Sequence, residues 1–312
     1  MRLRESRACG AATQGVGFIL QVMTRIFTIV LFALAAAFSA FAAEEPPAPR
    51  RIVSLSPNAT AVLEALGVSR ELVGVTRYCR VPAGSTPTVV GGLLDPSAEA
   101  VLALRPDLLV RAAVRDKSFP ERMARYGIPC VELFPESYEN LKRDVALLGE
   151  KTGRRERADA ILRRWDEAER AAADALARRP LPRAPRVLIA WGEVFAGRAS
   201  YLDALVRICG GENAAPASAR AWPTLSKETL VAANADLLIR VGPDGPARLT
   251  PAPELARTLA GDPVYGRMPA VRRGNVFVLD ENSRLLYPAP TLVEAIPQLA
   301  AAIRTAAETE GR

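Results

Sequence analysis

The sequence predicts an α/β chain: two βα lobes, each built on a central parallel sheet, joined by one long α-helix. Three observations predict it. Residues 97–111, SAEAVLALRPDLLVR, return 129 positions later as SKETLVAANADLLIR at 226–240, with seven of the fifteen places identical. A self-match at so long a period does not fit a solenoid, whose repeats recur every 20–50 residues; it marks two similarly built lobes. Short β-rich runs alternate with helical stretches in both halves. Finally, 154–178 is rich in Ala, Leu, Glu and Arg and free of Pro, which fits a helix of 24 or more residues, roughly 36 Å at 1.5 Å per residue.

Taken in order, the chain opens on a basic, unpatterned stretch, 1–22. From Met23 it reads MTRIFTIVLFALAAAFSAFAAEE: a basic start at Arg25, an apolar run to Phe38, and Ala40-Phe41-Ala42 as a small-x-small cleavage site. This is a secretory signal peptide, and its apolar run is too short and Ala-rich for a membrane span. Met23 reads as the true start, and the mature chain begins near Ala43. Cys9 lacks the preceding apolar stretch of a lipoprotein signal, so no lipid anchor is expected.

The mature chain then starts on a strand at 51–55. Ser56-Pro57 caps and opens a helix ended by Gly67. A second strand at 72–75 leads into a long Pro- and Gly-bearing loop at 76–92. Asp95-Pro96-Ser97 starts the repeated helix, followed by a strand at 108–110, a helix at 118–126 stopped by Gly127, and a strand at 129–133. This βαβα order implies a parallel sheet covered on both faces, a Rossmann-like lobe. Helix then runs from Tyr138 to Arg179 with a break at 149–153, and Pro180, Pro182 and Pro185 end it. The second series has a strand at 186–190, a helix at 201–208, the repeated helix at 226–234 and a strand at 237–241. A Pro-rich stretch at 243–253, a strand at 276–279 and a terminal helix from about 290 complete it. The organisation expected is extension and signal peptide 1–42, N-terminal lobe 43–150, linking helix 151–182 and C-terminal lobe 183–312.

Composition excludes several chemistries. The 312 residues contain no histidine, which removes the usual general base, the Ser-His-Asp and Cys-His arrangements and the commonest transition-metal ligand. No CxxC or clustered carboxylate spacing offers a metal site. Gly91-Gly92 and Gly210-Gly211 lack the context of a phosphate loop and read as turns. The net charge of +7 falls to about +4 without 1–42, and no basic cluster marks a nucleic-acid binder. Cys79, Cys130 and Cys209 survive processing, an odd number in an oxidising compartment, and their pairing is left open. A secreted carboxylate-dependent hydrolase stays on the table if two acids face each other in a cleft. So does a sensor lobe that signals to a partner.

Aromatics in loops beside regular elements are candidates to cover a flat ring ligand at low rotamer cost: Trp191, just past the first strand of the second lobe, and Trp222. Tyr78 is a loop Tyr and a possible phenolate ligand to haem iron. Arg77, Arg80 and Arg284 could meet anionic groups. Ser97 and Ser226 stand at helix N-caps, with Glu99 and Glu228 inside the first turn, where a carboxylate gains about 0.3–1 kcal/mol from the helix dipole.

Together the segments RIVSLSPNATAVLEALG, LVGVTRYCRVP, AEAVLALRPDLLV, YGIPCVEL, ICGGEN and AWPTLSKETLVAANADLLI resemble the helical-backbone (class III) periplasmic substrate-binding proteins of ABC importers. The chain looks most like their cobalamin-binding branch. The resemblance implies a non-enzymatic, soluble, monomeric periplasmic protein that carries a cobalamin-like ligand as cargo, with no resident cofactor or metal. Haem or a ferric siderophore is the alternative cargo. It further implies that Tyr78, Trp191 and Trp222 face the ligand between the lobes. Glu99 and Glu228 would dock onto an ABC permease dimer with its ATPase subunits. Leu93 and Ala112 stand where the cobalamin type carries tryptophans, and SRLLYP at 283–288 departs from its ligand-contacting loop. Cys209 occupies a position that some relatives bridge to the terminal helix; no Cys occurs here between Leu292 and Arg312, so that bridge is absent.

Overall fold

The computed structural model describes residues 47–113, 118–218, 220–242, 246–280 and 288–309. The first series runs β1 (Ile52–Ser54), α1 (Pro57–Ala65), β2 (Leu72–Val75), β3 (Thr88–Val89), α2 (Ala98–Ala103), β4 (Leu108–Ala112), α3 (Ser118–Arg125) and β5 (Cys130–Leu133). Its sheet has the order β3-β2-β1-β4-β5, every pair parallel. The loop expected over 76–92 is corrected by β3, which pairs Thr88 with Gly74 and Val89 with Val75. Two residues are too few to show a period. Ser56 holds the N-cap position of α1 but makes no cap bond; its hydroxyl turns to Asn58 Oδ1 instead.

α4 (Tyr138–Lys151) and α5 (Arg155–Arg178) follow, and the 24 residues of α5 form the single long connection. The second series comprises β6 (Arg186–Trp191), β7 (Val194–Phe195), α6 (Tyr201–Ile208), β8 (Glu212–Asn213), α7 (Lys227–Ala233) and β9 (Leu237–Gly242). It ends with β10 (Thr250–Pro251), α8 (Pro253–Ala260), α9 (Pro269–Arg272), β11 (Val276–Asp280) and α10 (Ile296–Glu308). The sheet order is β10-β11-β9-β6-β7, with β8 also on β6. Its centre is parallel, as expected, but β7 and β10 run antiparallel. Gly192, at φ +56, permits the tight return that folds β7 back on β6. The Pro-rich stretch at 243–253 contains β10 and the Pro-initiated start of α8.

Strand alternation sends neighbouring side chains to opposite faces. Ile52, Leu108, Val110, Val187, Ile189, Leu237, Ile239 and Val241 enter one core that also takes Ile161 and Trp165 of α5. The intervening Val53 and Leu109 enter a second core, and Leu188 and Leu238 a third. Both sheets are therefore covered on both faces, and α5 is built into the core they share. Each fully buried aliphatic side chain contributes about 1.5–3 kcal/mol over exposure, so the shared core binds the lobes to α5.

The internal repeat extends to backbone detail. Asp107 accepts from Arg51 N at 2.9 Å, and its counterpart Asp236 from Arg186 N at 2.9 Å. Arg51 Nε donates to Leu104 O, and Arg186 Nε to Ala233 O, both at 2.9 Å. Arg105 and Asn234 share φ 45, a left-handed conformation that Asn tolerates better than Arg. Each lobe thus fastens its first strand to the loop before the neighbouring strand in the same way.

Asp144 of α4 is buried and accepts from Phe134 N at 3.0 Å. Burial pushes its carboxyl up to about 6 against the pull of that N–H, whereas the unfolded carboxyl titrates near 3.9. The folded state therefore holds the extra proton, and this group lowers stability as pH rises from about 4 to about 6. Asp144→Asn keeps an oxygen for Phe134 N–H. It is expected to match the parent near pH 4 and exceed it at pH 7.5 by on the order of 1–2 kcal/mol, after allowance for solvent screening. Urea unfolding at both pH values checks this; a pH-independent difference would contradict it.

Candidate functional site

Parallel α/β sheets place ligands beyond the carboxyl ends of their strands. Beyond the ends of β1 and β2 lies a cavity of about 630 Å³, lined by Pro57, Ala61, Glu64 and Ala65 of α1, by Tyr78, Cys79 and Arg80, and by Ala289, Pro290 and Thr291. The first seven belong to the first lobe and the last three to the second, so the cavity opens between the lobes.

Local chemistry sets how each side chain is presented. A turn closes with Cys79 N donating to Thr76 O at 3.0 Å, and Thr76 Oγ1 lies 3.1 Å from Cys79 Sγ. That turn buries Cys79 and leaves Tyr78 59 % exposed. Arg77 is held by Asp95 at 2.7 Å, with its guanidinium 5.4 Å from the Tyr78 ring. Of the three arginines considered for anionic groups, Arg80 lines the cavity and Arg77 is tied to Asp95. Arg284 lies outside the described residues, as does most of the 283–288 loop.

Trp191 is the last residue of β6, paired with Val194 and Val241, and exposed. Trp222 is half-buried and meets Tyr201 edge-on, with centroids 5.8 Å apart at 65°. Tyr201 N donates to Glu136 O across the lobes, so Trp222 stands beside the seam. Neither tryptophan is among the described residues lining the cavity. The contribution of Ala289, Pro290 and Thr291 was missed by sequence reasoning; they lie more than 200 residues from Tyr78 and carry no motif.

Glu64 is the one carboxylate among the described lining residues, so they do not pair the two acids that hydrolysis needs. Among the described residues no group of three or more His, Cys, Asp or Glu can hold a metal ion, and no helix is long and apolar enough to cross a membrane. Burial pushes the Cys209 thiol up to about 12, which keeps it from acting as a thiolate.

Glu99 and Glu228 stand exposed in the first turns of α2 and α7. Ser97 accepts from Ala100 N and Ser226 from Thr229 N, both at 3.2 Å. Matching caps thus start the helix that carries each glutamate in its first turn. The Glu228 carboxyl is held below the usual range by its own backbone N–H and the Ser226 hydroxyl.

A family model described as "Periplasmic binding protein" matches residues 52–283. The chain is 27% identical over 265 residues to a cobalamin-binding protein of Halobacterium salinarum, covering 81% of this chain and 69% of that one. It is 27% identical over 198 residues to the vitamin B12-binding protein of Pectobacterium atrosepticum, covering 59% and 68%. Among solved structures, the periplasmic haem-binding protein RhuT of Roseiflexus sp. RS-1 aligns with a TM-score of 0.67 at 26% identity, covering 83% and 99%. The vitamin B12-binding protein BtuF of Vibrio cholerae gives a TM-score of 0.67 at 18% identity, covering 84% and 100%, a likeness of fold.

Proposed function

Because the chain belongs to the periplasmic binding protein family, we propose that it captures a corrinoid of the cobalamin type between its lobes and delivers it to an ABC importer. The observation that carries the reading is the interlobe cavity of about 630 Å³ that holds an exposed Tyr78. Curated relatives named for cobalamin and vitamin B12 support the choice of cargo. Trp191, exposed at the end of β6, and Trp222, beside the seam, are the flat surfaces this reading assigns to a large ring. The protein works as a monomer in the periplasm after removal of 1–42, performs no catalysis and carries its ligand as cargo. Glu99 and Glu228, one on each lobe, meet basic residues on the two permease subunits.

Haem is the second reading, favoured by the exposed phenol of Tyr78 in the cavity and by neighbours named for haem binding. A tyrosinate is an established axial ligand to haem iron. Titration followed by tryptophan fluorescence separates the two. Trp222→Ala is expected to weaken cyanocobalamin binding by about 1–3 kcal/mol, the scale of burying one large side chain. No response to cyanocobalamin with a clear response to haemin would transfer the cargo to haem.

A further inference from the structure

We propose that Trp165 is a positioning residue for cargo capture: its indole N–H fixes the second lobe's wall of the cavity to the connecting helix and so sets the cleft width. The proposal rests on the reading of that cavity as the cargo site. Trp165 lies within α5, 1 % exposed. Its ring stacks on Tyr138 of α4, with centroids 5.2 Å apart at 21°. The stack is braced from the first lobe: Tyr138 Oη donates to Glu169 at 2.9 Å, and Lys142 pairs with Glu169 at 2.6 Å and Asp166 at 2.8 Å.

The polar edge of the same indole points the other way. Nε1 donates to Pro290 O at 2.9 Å, and Pro290 sits between Ala289 and Thr291 in the cavity wall. Ring packing alone does not need an N–H, and burying one unpaired is costly. A phenylalanine keeps an aromatic ring beside Tyr138, gives up part of the indole's volume and has no donor for the wall.

The opposite wall is fastened to the same helix. Arg157 Nη1 donates to Leu66 O at 3.1 Å, just past the end of α1, which carries Pro57, Ala61, Glu64 and Ala65 into the cavity. Its guanidinium fills the space beside Gly67, at φ +75, where any Cβ would collide with it. The two anchors are eight residues apart on α5, about 12 Å of helix. The helix thus spaces the two walls, with Arg157 holding one and Trp165 the other.

Trp165→Phe keeps one aromatic ring against Tyr138 and removes the donor, leaving Trp191 and Trp222 as fluorescent reporters. In the cargo-free protein, hydrogen exchange of the amides at 291–294 is expected to speed up by about tenfold, the worth of one hydrogen bond. Binding of whichever probe the parent takes, cyanocobalamin or haemin, is expected to weaken by a similar factor. Val145→Ala, a core truncation in α4, should lower stability without either effect. Parent-like exchange at 291–294 in Trp165→Phe, parent-like affinity, or the same changes in Val145→Ala would each overturn the proposal. Should neither probe bind the parent, the cargo reading falls, while the exchange measurement still decides whether Trp165 holds the wall.

Discussion

The Glu99→Arg, Glu228→Arg double variant is expected to fold, bind cargo like the parent, and fail to support uptake or to stimulate the transporter's ATPase activity. Both carboxylates are exposed on first helical turns, where each gains only about 0.3–1 kcal/mol from the helix dipole. Reversing them therefore costs little stability. Rim charges govern recognition and association rate, and two separated contacts acting together gain avidity that neither has alone. If each pairing contributes about tenfold to docking, the double reversal removes about a hundredfold, on top of new repulsion between like charges. Each single reversal should be milder. ATPase assays with the reconstituted importer check this. Normal stimulation by the folded double variant would reduce both glutamates to helix-start residues, and lost cargo affinity would put them in the cleft.

The largest loss of stability is expected from Asp236→Ala. Asp236 is 5 % exposed. It accepts from Arg186 N, pairs with Arg183, and lies 3.2 Å from Arg273. Burial works against its ionisation, yet Arg183, the Arg186 N–H and Arg273 together hold its carboxyl below the usual range. Removing it leaves two arginines facing each other without their shared carboxylate, a loss of about 2–4 kcal/mol. For a chain of this size that is roughly 4–8 °C in Tm. A carboxyl held low contributes stability above its unfolded value and loses it as pH falls through its folded one. The gap between parent and variant should therefore be full at pH 7 and shrink below about pH 4. Asp107→Ala provides the contrast. Its carboxylate is exposed and accepts from Arg50 N and Arg51 N, so its loss should cost about 1 kcal/mol. Equal losses in the two variants would contradict this account.

The strongly punctuated parts of the fold were legible in the sequence. α5 occupies the Pro-free stretch, and α6 occupies the helix expected at 201–208. Ser97 and Ser226 cap as a Ser before a helical run predicts. The two-residue strands β3, β7, β8 and β10 were not legible, because nothing in so short a segment marks a strand until a partner stands beside it. The roles of Asp107 and Asp236 were likewise hidden; the repeat showed that they recur, but their donors lie about 50 residues away. At the site, Tyr78 and Arg80 were singled out from the sequence and line the cavity. The wall at 289–291 and the indole that reaches it depend on a contact spanning 125 residues, which no local pattern encodes.

Titration of the purified mature protein with cyanocobalamin, haemin and a ferric siderophore, read by tryptophan fluorescence and visible absorbance, tests the central claim most directly. The account predicts saturable binding of one molecule of cyanocobalamin per chain, weakened by Trp222→Ala. Absence of binding to all three compounds would contradict it.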